Sequence, residues 1–232
     1  MNVEIFDSPE AASRAAAACI AREARERIRA HGSFKVAFSG GGTPAPMWRA
    51  LADERIAWQD VHVFQVDERV APTGHAARNL TGLDSHLLAR VTIPAEGVHP
   101  MPVEHEDLEA AARAYARSLE AVAGRPPVLD LVHLGIGADG HTASLVPGDP
   151  VLDSDDRDVD VSGVYEGRRR MTLTFRAIDR AGMRLWLVIG AEKAAMLGRL
   201  LEGDRTIPAG RVSRERTHVF ADRAAAGRTL QV

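Results

Sequence analysis

Residues 128–148 read VLDLVHLGIGADGHTASLVPG, and this stretch is the strongest indication of the fold in the sequence. The mostly apolar run Val128–Leu134 is typical of a short strand that is buried on both faces of a parallel sheet. Three glycines follow, Gly135, Gly137 and Gly140, and they predict a sharp turn because glycine adopts positive φ without steric cost. In an open α/β sheet, a loop at the carboxyl end of a strand faces the ligand crevice.

This turn carries an acid and an imidazole two positions apart, Asp139 and His141. Such a pair at the end of a buried strand favours a chemical role over a purely structural one. The glycines also match the dinucleotide fingerprint G-x-G-x-x-G. That fingerprint is disfavoured here, since Asp139 would place a carboxylate against a pyrophosphate. The acidic run 153–160 follows it, in place of the single acid that would bind the ribose.

Composition describes an ordinary soluble globular protein. The 232 residues are 45% hydrophobic and 26% charged, and the formal net charge of -3 gives no electrostatic basis for binding nucleic acid. The single cysteine, Cys19, cannot form an intrachain disulfide. The N-terminus has no basic start with an apolar core, and no stretch is long enough to cross a bilayer. A cytoplasmic location without membrane contact is therefore expected.

Strand and helix patterns alternate along the chain. Ser8 followed by Pro9 predicts the start of a first helix, and Gly32 predicts its end. Further strands are predicted at Phe34–Phe38, Val61–Val66, Met171–Thr174, Met183–Ile189 and Thr217–Phe220, with Val212 near the last of them. Residues 149–169 are predicted to be an irregular charged loop. The prediction is an α/β fold: a single domain over residues 1–232, doubly wound, with a mostly parallel sheet and helices on both faces.

Two more strands end in groups that suit an anionic ligand. A glycine loop, Ser39–Pro44, lies between a strand and a helix, where the amides of Gly41, Gly42 and Thr43 can bind a single phosphate. The sequence Asp67–Arg69 ends the next strand, and its three charged side chains are expected to point into the same crevice.

Two further cations are candidates for the same ligand. Lys193 is predicted in the first turn of a helix, where the helix dipole disfavours a cation unless an anion is bound. Arg170 precedes the predicted strand at 171–174. Arginine suits bidentate contact with phosphate, whereas lysine is a mobile point charge.

Other reactive patterns are absent from the sequence. No histidine, cysteine and acid cluster has zinc-like spacing, so no metal is expected. Ser39 and Ser144 lack the G-x-S-x-G elbow of serine hydrolases. His62, His133 and His218 fall in strand patterns, where hydrogen-bonded structural histidines are expected.

Taken together, four motifs resemble the 6-phosphogluconolactonase family in order and spacing over nearly the whole chain. These motifs are Ser39–Pro44, Asp67–Arg69, Leu134–Gly148 and Arg170–Thr174. The resemblance implies hydrolysis of 6-phospho-D-glucono-1,5-lactone to 6-phosphogluconate in the oxidative pentose phosphate pathway, with no metal or organic cofactor. It also implies a Rossmann-like fold shared with glucosamine-6-phosphate deaminases and ribose-5-phosphate isomerases. The expected partner is a small sugar-phosphate lactone, and the chain is expected to be a monomer or a small homo-oligomer.

The deaminases are the main alternative, because they share the pattern from Asp139 to Ala143. The resemblance implies that deaminases carry a further glutamate just before the motif's proline, where this chain has Val146, and an aromatic residue where Arg69 stands. Valine cannot transfer a proton, so the lactonase is favoured. A non-catalytic sugar-phosphate-binding protein on the same fold is a third possibility.

The lactonase hypothesis assigns roles to these residues. His141 is the candidate general base, since a neutral imidazole, whose unperturbed pKa is about 6.5, can take a proton from water. Asp139 or Asp67 is expected to orient the imidazole or to bind sugar hydroxyls, and the sequence does not rank them. Arg69, Arg170 and Lys193 are the expected ligands of the phosphate or of the developing oxyanion, without an assignment between the two.

Overall fold

The computed structural model describes residues 1–227, so residues 228–232 of the predicted domain lie outside the described residues. The described residues form ten strands: β1 (Asn2–Phe6), β2 (Phe34–Phe38), β3 (Val61–Gln65), β4 (Asp67–Arg69), β5 (Val98–His99), β6 (Leu131–Leu134), β7 (Val159–Tyr165), β8 (Arg168–Leu173), β9 (Met183–Val188) and β10 (Thr217–Asp222). Their α-helices are α1 (Pro9–His31), α2 (Ala45–Ala52), α3 (Asn79–His86), α4 (Leu108–Ala123), α5 (Phe175–Arg180), α6 (Ala194–Glu202), α7 (Pro208–Arg211) and α8 (Arg223–Ala226).

Seven strands form one central sheet in the order β1-β10-β9-β6-β2-β3-β5. Every neighbouring pair in this sheet is parallel. From β2 the chain continues to β3 and β5 on one side, whereas from β6 it continues to β9 and β10 on the other side. The point where the strand order reverses therefore lies between β2 and β6, and ligands bind at such a point in open α/β sheets.

A hydrophobic core lies on each face of the central sheet. On one face, α1, α2 and α3 pack through residues such as Ile20, Trp48 and Leu83. On the other face, α4 and the smaller C-terminal helices pack through residues such as Leu119 and Leu197. Helices on both faces of a mostly parallel sheet confirm the predicted doubly wound α/β fold.

The first helix forms as its sequence predicts. The side chain of Ser8 accepts a hydrogen bond from the Ala11 amide at 3.1 Å, and Pro9 occupies the first helical position. Gly32 ends the helix in the left-handed conformation, with φ of 79°, and its amide bonds to the Ile28 carbonyl. These local signals were sufficient because each acts within one helical turn.

A second, three-stranded antiparallel sheet in the order β4-β8-β7 was not predicted. It contains the second half of the region 149–169 that we expected to be an irregular loop, because β7 begins at Val159 and β8 follows it after a turn. The charged residues of this region hide the strand pattern, and a long-range pairing with β4 supplies the stability that the sequence does not show. This sheet matters for function, since it carries Asp67, Arg69 and Arg170.

Other elements differ from prediction in smaller ways. The edge strand β1 was not predicted, because its residues are mostly exposed and its strand partner, β10, lies at the other end of the chain. Residues 128–130 precede β6 instead of belonging to it. Val212 lies in the connection after α7 and not in a strand. Within residues 1–227, no helix combines the length and apolar character that a membrane crossing requires.

Candidate active site

A pocket of about 190 Å³ opens at the carboxyl ends of β2, β6 and β9, where the strand order reverses. Seven of the nine predicted site residues line it: Gly41, Thr43, Asp67, Arg69, His141, Arg170 and Lys193. The other two are Gly42, which is exposed, and Asp139, which does not line the pocket but contacts the ring of His141. The sheet topology thus gathers residues that are more than 150 positions apart in the sequence into one site.

The glycine turn after β6 is closed by its own backbone. The Gly137 amide donates to the His141 carbonyl at 2.8 Å, and the Gly140 amide donates to the Gly137 carbonyl at 3.0 Å. A Cβ atom on Gly137 would lie 2.1 Å from His141 Nδ1 and 2.5 Å from Asp139 Oδ1. Glycine is therefore required at 137 because the acid and the imidazole fold back against the main chain.

Asp139 and His141 form a hydrogen-bonded pair. Asp139 Oδ1 lies 2.6 Å from His141 Nδ1, and the same oxygen accepts the His141 backbone amide at 3.1 Å. The His141 side chain keeps 24% of its surface exposed and lines the pocket. No hydrogen bond to Nε2 occurs among residues 1–227, so this ring nitrogen is available to a ligand.

Tyr165 completes this arrangement from β7. Its hydroxyl donates to Asp139 Oδ2 at 3.0 Å, and its ring meets the His141 ring edge-on with centroids 5.3 Å apart. The predicted site did not include Tyr165, because it falls in the region that the sequence pattern described as an irregular loop. Both carboxylate oxygens of Asp139 are thereby bonded, one to the imidazole and one to the phenol.

These contacts keep Asp139 ionised. Partial burial acts to raise the pKa of Asp139, but the hydrogen bonds and charge of His141, together with the Tyr165 hydroxyl, outweigh burial and lower the pKa. The pKa of Tyr165 is raised by partial burial and by its bond to the Asp139 carboxylate, so the phenol keeps its proton. At neutral pH the phenol is a donor and the carboxylate is an acceptor.

Asp67 lies in the same pocket and does not touch His141. It is almost fully buried, with Oδ2 accepting from Ser144 Oγ at 2.7 Å and Oδ1 accepting from Asn79 Nδ2 at 3.1 Å. Burial raises the pKa of Asp67, and the Ser144 hydroxyl and the charge of Arg69 offset part of this increase. Of the two carboxylates that the sequence left open, Asp139 is therefore the one in contact with the imidazole.

Glu68 does not point into the crevice, which corrects the expectation for the three charges at 67–69. Its fully buried carboxylate accepts the backbone amides of Asn79 at 2.7 Å and Leu80 at 2.9 Å, at the start of α3. It also forms an ion pair with the buried Arg78, whose Nε is 3.0 Å away. Glu68 thus anchors α3 to the sheet, because alternate residues of a strand point to opposite faces.

Three cationic side chains line the pocket. Arg69 and Arg170 are direct partners in the antiparallel ladder of β4 and β8. Arg69 donates to the Ala77 carbonyl at 3.0 Å, whereas Arg170 pairs with Glu166 at 2.8 Å and lies over the Tyr165 ring. Buried Nε atoms of both arginines lack a hydrogen-bond partner within the described chain.

Lys193 lines the pocket from a different part of the fold. It belongs to a short 3-10 turn, Ala191–Lys193, that leads into α6, and not to the first turn of an α-helix as predicted. No ion pair involving Lys193 is found among residues 1–227. A lysine, two arginines and a glycine loop therefore line one cavity from four elements of the fold.

The glycine loop after β2 presents unused amides. Among residues 1–227, no acceptor is found for the amides of Gly41, Gly42 or Thr43, and Gly41 has φ of 97°. A Cβ on the preceding Gly40 would overlap the Asn79 side chain at 2.1 Å. Gly40 thus lets the loop pass close to Asn79 and to the carboxylate of Asp67, so that both lie on the pocket wall.

Three polar residues of the pocket wall were not among the predicted site residues: Ser39, Asn79 and His133. The expectation that His133 is a hydrogen-bonded structural residue is wrong, since neither ring nitrogen finds a partner in the described part of the chain. Ser39 begins the predicted glycine loop but was not assigned a role, whereas His133 reaches the wall through the pairing of β2 with β6 and Asn79 through its hydrogen bonds to Asp67. Within residues 1–227, no group of three or more His, Cys, Asp or Glu side chains could hold a metal ion.

The sequence matches a known protein family over most of its length. A family profile described as "Glucosamine-6-phosphate isomerases/6-phosphogluconolactonase" matches residues 7–221. A Synechocystis protein named 6-phosphogluconolactonase is 36% identical over 203 residues, covering 86% of this chain and 84% of its own. A Mycobacterium tuberculosis protein of the same name is 35% identical over 242 residues, covering 98% of both chains.

Solved structures agree with these sequence relatives. The crystal structure of 6-phosphogluconolactonase from Thermotoga maritima superposes with a TM-score of 0.85 at 26% identity, covering 95% of this chain and 98% of that one. A monomeric glucosamine-6-phosphate deaminase superposes with a TM-score of 0.84 at 22% identity, covering 97% of this chain and 99% of its own, and this likeness shows the shared fold alone. On the family match and the sequence relatives together, the chain belongs to the glucosamine-6-phosphate isomerase/6-phosphogluconolactonase family.

Proposed function

We propose that this protein hydrolyses 6-phospho-D-glucono-1,5-lactone to 6-phospho-D-gluconate, with His141 as the general base. The contact between Asp139 Oδ1 and His141 Nδ1, at 2.6 Å on the wall of a cation-lined pocket, carries this proposal. The names of the relatives in the same family support the choice of substrate.

The hydrogen bond to Asp139 selects the tautomer of His141. Because its pKa is lowered, Asp139 is ionised at neutral pH and can only accept hydrogen bonds. Nδ1 of His141 must then carry the ring proton, which leaves the lone pair on Nε2. An imidazole held by a carboxylate at Nδ1 and free at Nε2 is the arrangement that proton abstraction from water requires.

The reaction then proceeds in two steps. Nε2 of His141 accepts a proton from water while the water oxygen bonds to the lactone carbonyl carbon, and the carbonyl electrons move onto its oxygen. When the carbonyl re-forms, the bond from that carbon to the ring oxygen breaks, and the ring oxygen takes the proton from Nε2. The products are an open-chain hydroxyl group and a carboxylic acid, which ionises.

The cations and the glycine loop supply the remaining electrostatics. Arg69, Arg170 and Lys193 bind the phosphate and stabilise the oxyanion, and the amides of Gly41–Thr43 provide further donors. Asp67 is bonded to Ser144 and Asn79 and faces the cavity, so it is placed to accept a hydrogen bond from a sugar hydroxyl. General-base catalysis contributes about 10²–10⁴-fold, and positioning provides the rest.

A deaminase reaction is the competing activity within the family. It needs a further acid or base near His141, and the position that would supply it is the buried and non-ionisable Val146. A sugar-phosphate-binding protein without turnover is the other alternative, although it would give no reason for the hydrogen bond between Asp139 and His141.

A single assay separates these three functions. Substrate is generated in situ, and its disappearance is followed with and without the protein, while ammonia release from glucosamine 6-phosphate is measured in parallel. We expect accelerated lactone loss and no ammonia. The variant His141→Ala should lower kcat by at least about 10²-fold without changing Tm. Wild-type rates in this variant would exclude His141 as the base, and ammonia release would favour the deaminase.

A further inference from the structure

His133 is a polar exception in an apolar strand. The other residues of β6, Leu131, Val132 and Leu134, are fully buried and apolar. His133 is only 2% exposed, and neither Nδ1 nor Nε2 makes a hydrogen bond of normal distance and angle within residues 1–227. A marginal contact with the Ser39 backbone acts to raise the pKa of His133 and is outweighed by burial. Burying a polar group without a partner is costly, so such a group in a folded protein calls for an explanation.

The surroundings of His133 place it at the floor of the active-site pocket. Its ring packs 6.1 Å from the ring of Phe38 and lines the same cavity as Leu187. Ser39 lies beside it, because the Ser39 amide donates to the His133 carbonyl at 3.2 Å. The Ser39 hydroxyl is also buried, lines the cavity and has no partner within the described residues. Two buried polar side chains without a regular hydrogen bond therefore line the floor of the same cavity.

The chemistry of the ring selects the kind of ligand group. Burial lowers the pKa of His133 to about 3, so the ring is neutral at physiological pH. A neutral imidazole has one donor nitrogen and one acceptor nitrogen. A phosphate oxygen accepts hydrogen bonds and cannot satisfy the acceptor nitrogen, whereas a hydroxyl group can donate to it and can also accept from the donor nitrogen.

We propose that His133 is a substrate-binding residue that hydrogen-bonds a hydroxyl group of the sugar, with Ser39 beside it, while Arg69, Arg170 and Lys193 bind the charged groups. This inference rests on the proposed function, since it assigns the polyhydroxylated part of that substrate to the floor of the pocket. His133 then acts through affinity and selectivity, and the proton transfer stays with His141.

The test compares two variants with opposite hydrogen-bonding capacity. His133→Leu removes both ring nitrogens, and His133→Gln keeps one donor and one acceptor. Binding of the stable product 6-phosphogluconate is measured by calorimetry, with His218→Leu as the control, because His218 is near the start of β10 and does not line the pocket. We expect affinity to fall about ten- to hundredfold in His133→Leu and to be largely kept in His133→Gln and His218→Leu.

Thermal unfolding of the same variants separates a binding role from a structural one. An apolar residue at 133 removes two unsatisfied buried atoms, so Tm of His133→Leu should be equal to or above that of the wild type. A structural histidine would show the reverse, a lowered Tm with unchanged affinity, and this result would overturn the inference.

A direct observation covers the case in which the variants do not fold. In wild-type protein labelled with ¹⁵N-histidine, addition of 6-phosphogluconate should move the ring nitrogen resonances of His133. Unchanged His133 resonances at saturating product would overturn the inference while leaving lactonase activity intact. If the wild type neither binds 6-phosphogluconate nor hydrolyses the lactone, the proposed function itself fails, and this inference fails with it.

Discussion

Arg69 and Arg170 are direct cross-strand partners in the antiparallel pair β4 and β8, and both line the pocket. Like charges directly opposite each other destabilise a sheet. The Arg170 side chain is only 3% exposed, so water screens this repulsion poorly. Glu166 already pairs with Arg170 at 2.8 Å, whereas Arg69 forms no ion pair within residues 1–227, so a ligand anion at this position would chiefly compensate Arg69.

Replacing Arg69 tests whether that anion is the substrate phosphate. For Arg69→Met, we expect kcat/KM toward 6-phosphogluconolactone to fall about ten- to hundredfold, since a charge-assisted hydrogen bond is lost. Turnover of unphosphorylated gluconolactone should change little. The measurement is kcat/KM on both lactones with one enzyme preparation. An equal loss on both would mean that Arg69 stabilises the oxyanion or the structure of the site and does not bind the phosphate.

Replacing Asp139 tests how the imidazole is held. Asp139→Asn offers an amide to Nδ1 and removes the acceptor-only partner, so we expect kcat to fall about 10³–10⁴-fold with Tm nearly unchanged. Tyr165→Phe keeps the carboxylate and removes only its second hydrogen bond, and it should cost less than about tenfold. Steady-state kinetics of the two variants are measured in parallel. A larger fall in kcat for Tyr165→Phe than for Asp139→Asn would contradict this account.

The buried ion pair of Glu68 and Arg78 predicts a stability effect without a catalytic one. Glu68→Gln leaves the Arg78 guanidinium, only 4% exposed, without its buried counter-charge, and the free energy of unfolding should fall by about 3–5 kcal/mol. Glu104 also approaches Arg78, at 3.8 Å, but it is half exposed, so Glu104→Gln is the matched control with little expected change. The free energy of unfolding of both variants is measured by denaturant titration, and equal values would refute the predicted role of the Glu68–Arg78 ion pair.

His133 also predicts how stability depends on pH. Its pKa of about 3 in the folded protein is below the unfolded value of about 6.5, so the unfolded state takes up the proton first as pH falls. The contribution of His133 to stability is therefore complete above about pH 6.5 and is lost progressively toward about pH 3. Its slope reaches about 1.4 kcal/mol per pH unit.

The difference between two unfolding profiles isolates this effect from that of the other ionisable groups. The free energy of unfolding of the wild type minus that of His133→Leu should decrease between about pH 6.5 and about pH 4. Buried acids such as Asp67, whose pKa is raised, act with the opposite sign and cancel in the difference. Parallel profiles would mean that His133 does not stay neutral in the folded protein.

Much of the candidate site could be predicted because most of its residues lie in short sequence motifs. A strand followed by a glycine turn marks the position of Asp139 and His141, and the loop Ser39–Pro44 is marked by the same rule. The contact between Asp139 and His141 could not be ranked above one with Asp67, since a two-residue separation does not specify side-chain direction. Tyr165 could not be predicted as a site residue, because its strand β7 is stabilised by pairing with β8 and shows no local strand pattern.

The sequence by itself determined the alternation of strands and helices, the first helix with its caps, and the turns that carry the reactive groups. Hydrophobic periodicity, capping residues and glycines act over a few positions, so they can be recognised in the sequence. Only the tertiary structure decided that Arg69 faces Arg170, that Glu68 turns away from the pocket, and that His133 lies unpartnered at its floor. These relations depend on the pairing and packing of segments far apart in the chain, and such long-range contacts leave no local pattern in the sequence.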